Sequence, residues 1–117
     1  MKLTICIPAY NEVAIIDRTL ITVHTFCQTR PEHEWTVVVA NNGSTDGTAD
    51  LARQVPRTQV LDVPTQGKGA AIIYAASHDT ADIFCFIDAD LSAHPNALPE
   101  LIERLDAGAD IVIGSRL

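Results

Sequence analysis

The chain has few aromatic residues, no excess of positive charge and no long apolar run, and each shortage excludes a class of protein. Its 117 residues carry a formal net charge of −7, which argues against binding to the phosphate backbone of a nucleic acid. Aromatic residues make up only 5% of the chain, so platforms for stacking successive bases are scarce as well. No apolar run approaches the roughly 20 residues that cross a bilayer, and no signal sequence precedes the first apolar segment. We therefore expect no nucleic-acid partner and no membrane span in this chain.

The pattern of the three cysteines is typical of a reducing compartment. Cys6, Cys27 and Cys85 are odd in number, and each lies in an apolar run. We expect reduced core residues in a cytoplasmic protein. The length and the 47% hydrophobic content predict one soluble globular domain over residues 1–117.

The most informative stretch is a buried strand that stops at two carboxylates. Residues 83–87 are continuously apolar, as in a strand buried inside a parallel sheet, and Asp88-Ala89-Asp90 follows directly. Two carboxylates about 5 Å apart would repel by roughly 3 kcal/mol at an effective dielectric of 20. Mg²⁺ or Mn²⁺ removes that repulsion and prefers carboxylate and phosphate oxygens. Asp-x-Asp arises easily by chance, so its position after a buried strand is what favours a metal or phosphate site.

Strand and helix patterns alternate along the chain. Strands are predicted at residues 3–7, which end at Pro8, and at 35–40, 60–63, 83–87 and 111–113. A helix ending near residues 30–31 is predicted from apolar residues spaced 3, 4, 3 and 4: Val13, Ile16, Leu20, Val23 and Cys27. The alternation predicts an α/β fold with a mostly parallel sheet and helices on both faces.

Three further helices complete the pattern. Asp46 is the predicted N-cap of a short helix that runs to Gln54. The next helix is predicted from Ala70 to about His78, and a last one begins at Pro95. The residues expected to pack the 70–78 helix are Ile72, Ile73 and Ala76.

The polar residues concentrate in the loops after the strands. Residues 8–12, 41–48, 88–92 and 114–116 each follow a predicted strand. Parallel strands bring such loops to one edge of a sheet, where ligands bind in open α/β folds. Residues 67–69 do not complete a P-loop, because that motif needs glycine at Asp62 and Ser or Thr at Gly69. Lys68 at a helix start could still meet an anionic ligand, and a solvated lysine is an equal alternative.

Together these loops resemble the family 2 glycosyltransferases. The motifs are PAYNE (residues 8–12), NNGSTDGT (41–48), GKGAA (67–71), DADLS (88–92) and GSR (114–116), in the family's order. The similarity is strongest to the branch that transfers mannose or glucose to polyprenyl phosphates such as dolichol phosphate. It implies the GT-A fold, a nucleotide-sugar donor such as a UDP- or GDP-sugar, a divalent metal, Mg²⁺ or Mn²⁺, and inversion at the anomeric carbon.

The resemblance also implies roles for individual residues. Pro8, Tyr10 and Glu12 would line the nucleoside pocket, and Asn42 stands where the family usually has an aspartate that recognises the base. Asp88 and Asp90 would hold the metal and the diphosphate. Lys68 is a further predicted nucleotide-sugar-binding residue, and Arg116 would approach the donor phosphates or the acceptor. With Arg116, the two aspartates are the predicted catalytic residues.

Family members continue with a second half that builds the acceptor site, so we expect this chain to be the donor-binding part, with a lipid phosphate as acceptor at the inner face of the membrane. Two alternatives stay open at this point. The chain could be a non-catalytic nucleotide-binding module. Less favoured is a haloacid-dehalogenase-type phosphatase, whose Asp-x-Asp motif usually follows the first strand and has Thr or Val at the position of Ser92.

Overall fold

The computed structural model describes residues 2–64, 66–87 and 89, and in this part strands and helices alternate. The predicted helix after Pro95, the strand at 111–113 and Arg116 lie outside the described residues, as do Asp88 and Asp90. The elements are the strands β1 (Lys2–Ala9), β2 (Glu34–Asn41), β3 (Thr58–Asp62) and β4 (Ile83–Phe86) and the helices α1 (Ile16–Gln28), α2 (Thr48–Gln54) and α3 (Lys68–Ser77).

The four described strands form one sheet in the order β3-β2-β1-β4, and every pairing is parallel. The chain first steps outward from β1 to β2 and β3, and then returns across the sheet to place β4 on the other side of β1. The strand order therefore reverses at β1. A crevice opens at such a reversal, outside the carboxyl ends of the two strands that flank it. In this protein those strands are β1 and β4.

Side chains alternate between the two faces of β1 and so build two cores. Ile5 and Ile7 point to the face covered by α1 and α2, where they join a large cluster of buried apolar residues. Cys6 points to the opposite face and packs with Ala71 and Ala75 of α3. The prediction of helices on both faces of a parallel sheet is confirmed. Since β1 is buried on both faces, its sequence is mostly apolar, and Thr4, the buried polar residue within it, donates its hydroxyl to Asp79 Oδ1 at 2.7 Å.

The first strand is longer than predicted, because it continues through Pro8 instead of ending there. Pro8 pairs with Ala40 of β2 within the ladder. Alternate residues of a parallel strand bond to opposite neighbours: the Cys6 carbonyl accepts from Ile87, and the Ala9 carbonyl accepts from Asn42 beside β2. Pro8 therefore directs its missing N–H toward the β4 side, beyond the last residue of β4. No ladder bond is lost there, so proline is tolerated.

The apolar phase of α1 is correct except at its start. Ile16, Leu20, Val23 and Cys27 are buried as predicted, but Val13 lies before the helix and is 36% exposed. The backbone N–H groups of residues 15 and 16 both donate to the Glu12 carbonyl, at 3.0 and 2.8 Å, so residues 12–15 form a turn. The periodicity extended one helical step too far, because an apolar residue in a turn that precedes a helix can fall by chance at the helical spacing.

The predictions for the other two helices need correction as well. Gly47, with φ at 89°, occupies the N-cap of α2, and Asp46 lies one residue earlier. The helix α3 buries Ala71 and Ala75, whereas Ile73 is 71% exposed and Ala76 is exposed. Small residues face the sheet there because the helix lies close over β1 and β2. The predicted packing by Ile73 and Ala76 is wrong, and Ile72 is half-buried.

The helical phase of α1 predicts very different effects for two adjacent residues. Leu20 is fully buried and Ile21 is 58% exposed. Leu20→Ala should lower the free energy of unfolding by about 2–5 kcal/mol, since it removes buried carbon atoms and leaves a cavity. Ile21→Ala is the matched control and should cost well under half as much. Urea denaturation followed by circular dichroism measures both, and equal losses would contradict the assigned phase.

Candidate functional site

The loops after β1 and β2 are joined to each other through Asn11. The Asn11 backbone N–H donates to Ser44 Oγ at 3.0 Å, and Asn11 Oδ1 accepts from the Thr45 backbone N–H at 2.8 Å. Asn11 has a φ of 52°, a left-handed conformation that asparagine tolerates better than most residues. Asn11 of the PAYNE motif therefore adopts the left-handed backbone conformation of the turn and also forms the hydrogen bonds between the two loops.

A second connection runs through Thr48 and Asp46. Thr48 is fully buried, and its Oγ1 accepts from the Glu12 backbone N–H at 2.9 Å while donating to Asp46 Oδ1. Asp46 Oδ1 also accepts from the Thr48 backbone N–H at 3.0 Å, and Asp46 Oδ2 accepts from the Val13 N–H at 3.3 Å. One carboxylate and one hydroxyl thus pair three backbone donors from two loops. Together, Asn11, Ser44, Thr45, Asp46 and Thr48 form what we call the loop joint.

The Asp46 carboxylate is favoured in its charged form by this arrangement. The hydrogen bond from the Thr48 hydroxyl, with those from the backbone of Val13 and Thr48, holds the pKa of Asp46 below its usual range. The buried thiols show the opposite direction: burial raises the pKa of Cys6 to about 12 and that of Cys27 and Cys85 to about 11. All three cysteines are free and buried, as predicted, and such neutral thiols are not nucleophiles.

The two adjacent asparagines after β2 do different things. Asn41 is buried, and its Nδ2 donates to Asp62 Oδ1 at 3.0 Å while its Oδ1 accepts from the Ser44 N–H at 3.3 Å. Asp62 is held in turn by Arg53, whose Nη2 lies 3.1 Å from Asp62 Oδ2. Both polar atoms of the Asn41 side chain therefore have partners in the fold.

The side-chain oxygen of Asn42 is a hydrogen-bond acceptor that has no donor among the described residues. The backbone N–H of Asn42 donates to the Ala9 carbonyl at 2.9 Å, which holds the residue against the end of β1. Its Oδ1 is buried and finds no hydrogen-bond donor among the residues that the structure describes. A buried oxygen without a donor costs roughly 1–3 kcal/mol, so such atoms are rare in folded proteins unless a ligand or water serves them.

The end of β4 is anchored from the other side of the crevice. The Ile87 backbone N–H donates to the Cys6 carbonyl at 3.0 Å. Ala89 is buried in the cluster under α1, and its carbonyl accepts a 2.5 Å hydrogen bond from Thr19 Oγ1. The residue between the two aspartates is thus held by a core contact and a hydrogen bond.

The structure places four of the predicted site residues at one edge of the sheet. Pro8 is buried in β1, Tyr10 follows β1 with 58% of its surface exposed, Glu12 is half-buried in the joined loop, and Asn42 is half-buried beside the end of β1. Lys68 is exposed at the first residue of α3, the helix that packs over β1 and β2. Asp88, Asp90 and Arg116 lie outside the described residues, so their roles stay predictions.

Sequence reasoning placed the loops 8–12 and 41–48 at this edge but did not predict the contacts of Asn11 and Thr48 between them, and it missed Thr19 altogether. Asn11 lies in the PAYNE motif and Thr48 in NNGSTDGT, whereas Asp46 was assigned to a cap it does not form. No signal in the sequence pointed to Thr19, because its partner Ala89 is 70 residues away and comes into contact with it only in the folded chain.

Comparison of the sequence with known proteins identifies the family to which this chain belongs. A model of glycosyl transferase family 2 matches residues 4–117. The chain belongs to this family. It is 33% identical over 121 aligned positions to a bactoprenol glucosyl transferase of Shigella phage SfX, covering 99% of this chain and 39% of that protein. It is 29% identical to an undecaprenyl-phosphate 4-deoxy-4-formamido-L-arabinose transferase of Salmonella choleraesuis, covering 95% and 36%.

A solved structure agrees. A mannosyltransferase from Pyrobaculum calidifontis, determined in complex with GDP-Man and Mn²⁺, superposes with a TM-score of 0.72 at 28% identity, over 88% of this chain and 32% of that one. The expected family and its GT-A fold are confirmed, and family membership decides against the phosphatase alternative. This family 2 chain spans under two fifths of the length of the two curated relatives named above.

Two further features are absent from the residues that the structure describes. Within them, no helix is both long and apolar enough to cross a membrane. Nor do they bring three or more His, Cys, Asp or Glu side chains together in a way that could hold a metal ion. The predicted metal ligands Asp88 and Asp90 are not among those residues.

The loop joint predicts a specific effect of removing the Asp46 charge. Asp46→Asn keeps one acceptor oxygen, which we expect to stay with the N–H and hydroxyl of Thr48, so the new NH₂ group faces the Val13 N–H and that donor loses its acceptor. The Val13 amide should then exchange with solvent deuterium several-fold faster, as measured by NMR. Asp50→Asn, in the first turn of α2 and bonded to Arg53, is the control and should leave Val13 unchanged.

The same contacts give a pH dependence with a defined sign. The folded pKa of Asp46 is below that of the unfolded chain, roughly 3.9. Its contribution is therefore complete above that pH and is lost as the pH falls toward the folded pKa. Protection of the Val13 amide should be constant from neutral pH down to about 4 and fall below it. A decline that begins near neutrality would contradict the assignment to Asp46.

Proposed function

We propose that this chain forms the donor-binding part of an enzyme that transfers a sugar from a nucleoside-diphosphate sugar to a polyprenyl phosphate. Among the relatives named above, one is called a bactoprenol glucosyl transferase and another an undecaprenyl-phosphate sugar transferase. The observation that carries the proposal is the convergence of three strand ends at the reversal of the sheet: the loop joint after β1 and β2, and Ala89 after β4. Ligands bind at this place in open α/β sheets.

The nucleoside would bind beside the end of β1. The exposed ring of Tyr10 follows this strand and offers a face on which a base can stack. Asn42 Oδ1 offers an acceptor with no donor among the described residues. Uracil and guanine both carry a ring N–H group that can donate a hydrogen bond to such an oxygen. Asn42 would thus recognise the base through an amide, at the position where the resemblance implies an aspartate, while the side chain of Asn41 is bonded within the fold.

The donor diphosphate and its metal would lie at the end of β4. The chain places two carboxylates on either side of the anchored Ala89, a donor set that suits Mg²⁺ or Mn²⁺ and not a soft metal. Asp88 and Asp90 would hold the ion, which when bound supplies charge stabilisation on the departing diphosphate. The P. calidifontis enzyme was solved with Mn²⁺. Asp88 and Asp90 fit a divalent metal by the chemistry of their carboxylates and by their position in the sequence directly after β4.

The remaining roles concern charge and acceptor. Lys68, exposed at the start of α3, and Arg116 would neutralise donor or acceptor phosphates. A polyprenyl phosphate already carries an anionic oxygen, so its attack on the anomeric carbon, with inversion, needs no general base from this chain. With a polyprenyl phosphate as acceptor, the reaction would take place at a membrane surface, on its cytoplasmic side.

The central test is metal-dependent donor binding. UDP-glucose or GDP-mannose with Mn²⁺ should raise the melting temperature of the purified chain, since a ligand at 100 times its Kd stabilises by about 2.7 kcal/mol. Asp90→Ala should abolish the Mn²⁺-dependent part of donor affinity in calorimetry. Asp50→Ala, which removes an exposed helix carboxylate, is the control and should bind as the wild type does. Equal Mn²⁺ dependence in Asp90→Ala and wild type would refute the assigned metal site.

Base recognition is tested by a pair of neighbouring substitutions. Asn42→Asp replaces an amide by a group that can only accept, so the order of affinities for UDP, GDP and dTDP should change. Asn41→Asp should instead lower the melting temperature, because it brings a second carboxylate against Asp62, and should leave that order intact. If Asn42→Asp keeps the wild-type order, Asn42 does not face the base.

A further inference from the structure

We infer that Thr19 is a positioning residue for the Asp88-Ala89-Asp90 segment and thereby sets the affinity for the divalent cation. The inference rests on the proposed function. Thr19 is 3% exposed within α1, and its hydroxyl donates to the carbonyl of Ala89, 70 residues away in sequence, at 2.5 Å. No sequence motif includes Thr19.

The direction of this hydrogen bond differs from that of the neighbouring threonines. Thr22 and Thr25 return their hydroxyls to the carbonyls of Arg18 and Ile21, four residues earlier in the same helix. That is the local bond that threonine ordinarily makes in a helix. Thr19 donates across the core to another segment, so its hydroxyl links α1 to the residue between the two aspartates.

The bond matters because Ala89 is buried. Its side chain belongs to the core cluster under α1 and is 4% exposed, so its carbonyl needs an internal donor. Without the Thr19 hydroxyl, the carbonyl is satisfied only if Ala89 shifts toward water. Asp88 and Asp90 are covalently joined to Ala89, so such a shift disturbs both carboxylates together. Residues that orient metal ligands typically change metal affinity 10- to 100-fold when mutated.

The test compares variants that keep or remove this hydroxyl. Mn²⁺ is titrated into the purified chain at saturating UDP or GDP and followed by electron paramagnetic resonance. Thr19→Val keeps the shape and should weaken Mn²⁺ binding at least tenfold, or about 1.4 kcal/mol. Thr19→Ser retains the donor and should stay within about threefold of wild type, and Thr22→Val, which loses a local helix bond, should match wild type.

A second measurement separates positioning from general damage. Nucleotide affinity in EDTA reports the pocket beside β1 and should change less than twofold in Thr19→Val. Parallel weakening of both ligands, or failure of Thr19→Ser to restore Mn²⁺ binding, would mean a purely structural role. If Thr19→Val does not fold, Thr19→Ala, which also lacks the hydroxyl, must show the same selective loss of Mn²⁺ affinity.

The outcomes distinguish the two proposals. Wild-type protein that binds no UDP or GDP in a Mn²⁺-dependent way refutes the proposed function, and this inference falls with it. Wild-type protein that binds with Mn²⁺, together with an unchanged Mn²⁺ affinity in Thr19→Val, overturns the role of Thr19 and leaves the proposed function standing.

Discussion

The reversal of strand order at β1 is the constraint on which the rest of this structure depends. Because β1 pairs with β2 on one side and β4 on the other, the loops after all three strands must emerge at the same edge. Parallel strands make this unavoidable, and right-handed crossovers account for α1 and α2 covering one face while α3 covers the other. The site is therefore a consequence of topology before any polar side chain is considered.

Loops that leave a buried sheet edge must still pair their backbone groups, and here side chains do so. Asp46 and Thr48 serve the N–H groups of residues 12, 13 and 48, and Asn11 serves that of residue 45. Asn42 Oδ1 is the contrast, since it is buried at the same edge and has no donor within the described chain. Much of the polarity of these loops therefore serves contacts within the fold.

The sequence was a good guide to elements and a poor one to contacts. Short apolar, β-prone runs predicted β1, β2 and β4, and the continuous run at residues 83–87 is typical of a strand buried on both faces. The helical spacing of apolar residues gave the correct phase of α1 from Ile16 onward. The prediction from apolar spacing was wrong at Val13, which lies in a turn before the helix. It was also wrong at α3, where Ala71 and Ala75 pack against the sheet and the larger Ile73 is exposed. Close approach of helix to sheet selects small residues, and hydrophobicity alone does not reveal distance.

The site shows the same division between what is local and what the fold supplies. Tyr10 and Asn42 were predicted from motifs, since residues within one loop are near each other in sequence and keep their spacing. The different roles of Asn41 and Asn42 could not be predicted, because they depend on Asp62 and Ala9 reaching them from other strands. Thr19 is the extreme case: an ordinary helix residue becomes part of the site through a contact that only the packing of α1 against the end of β4 creates.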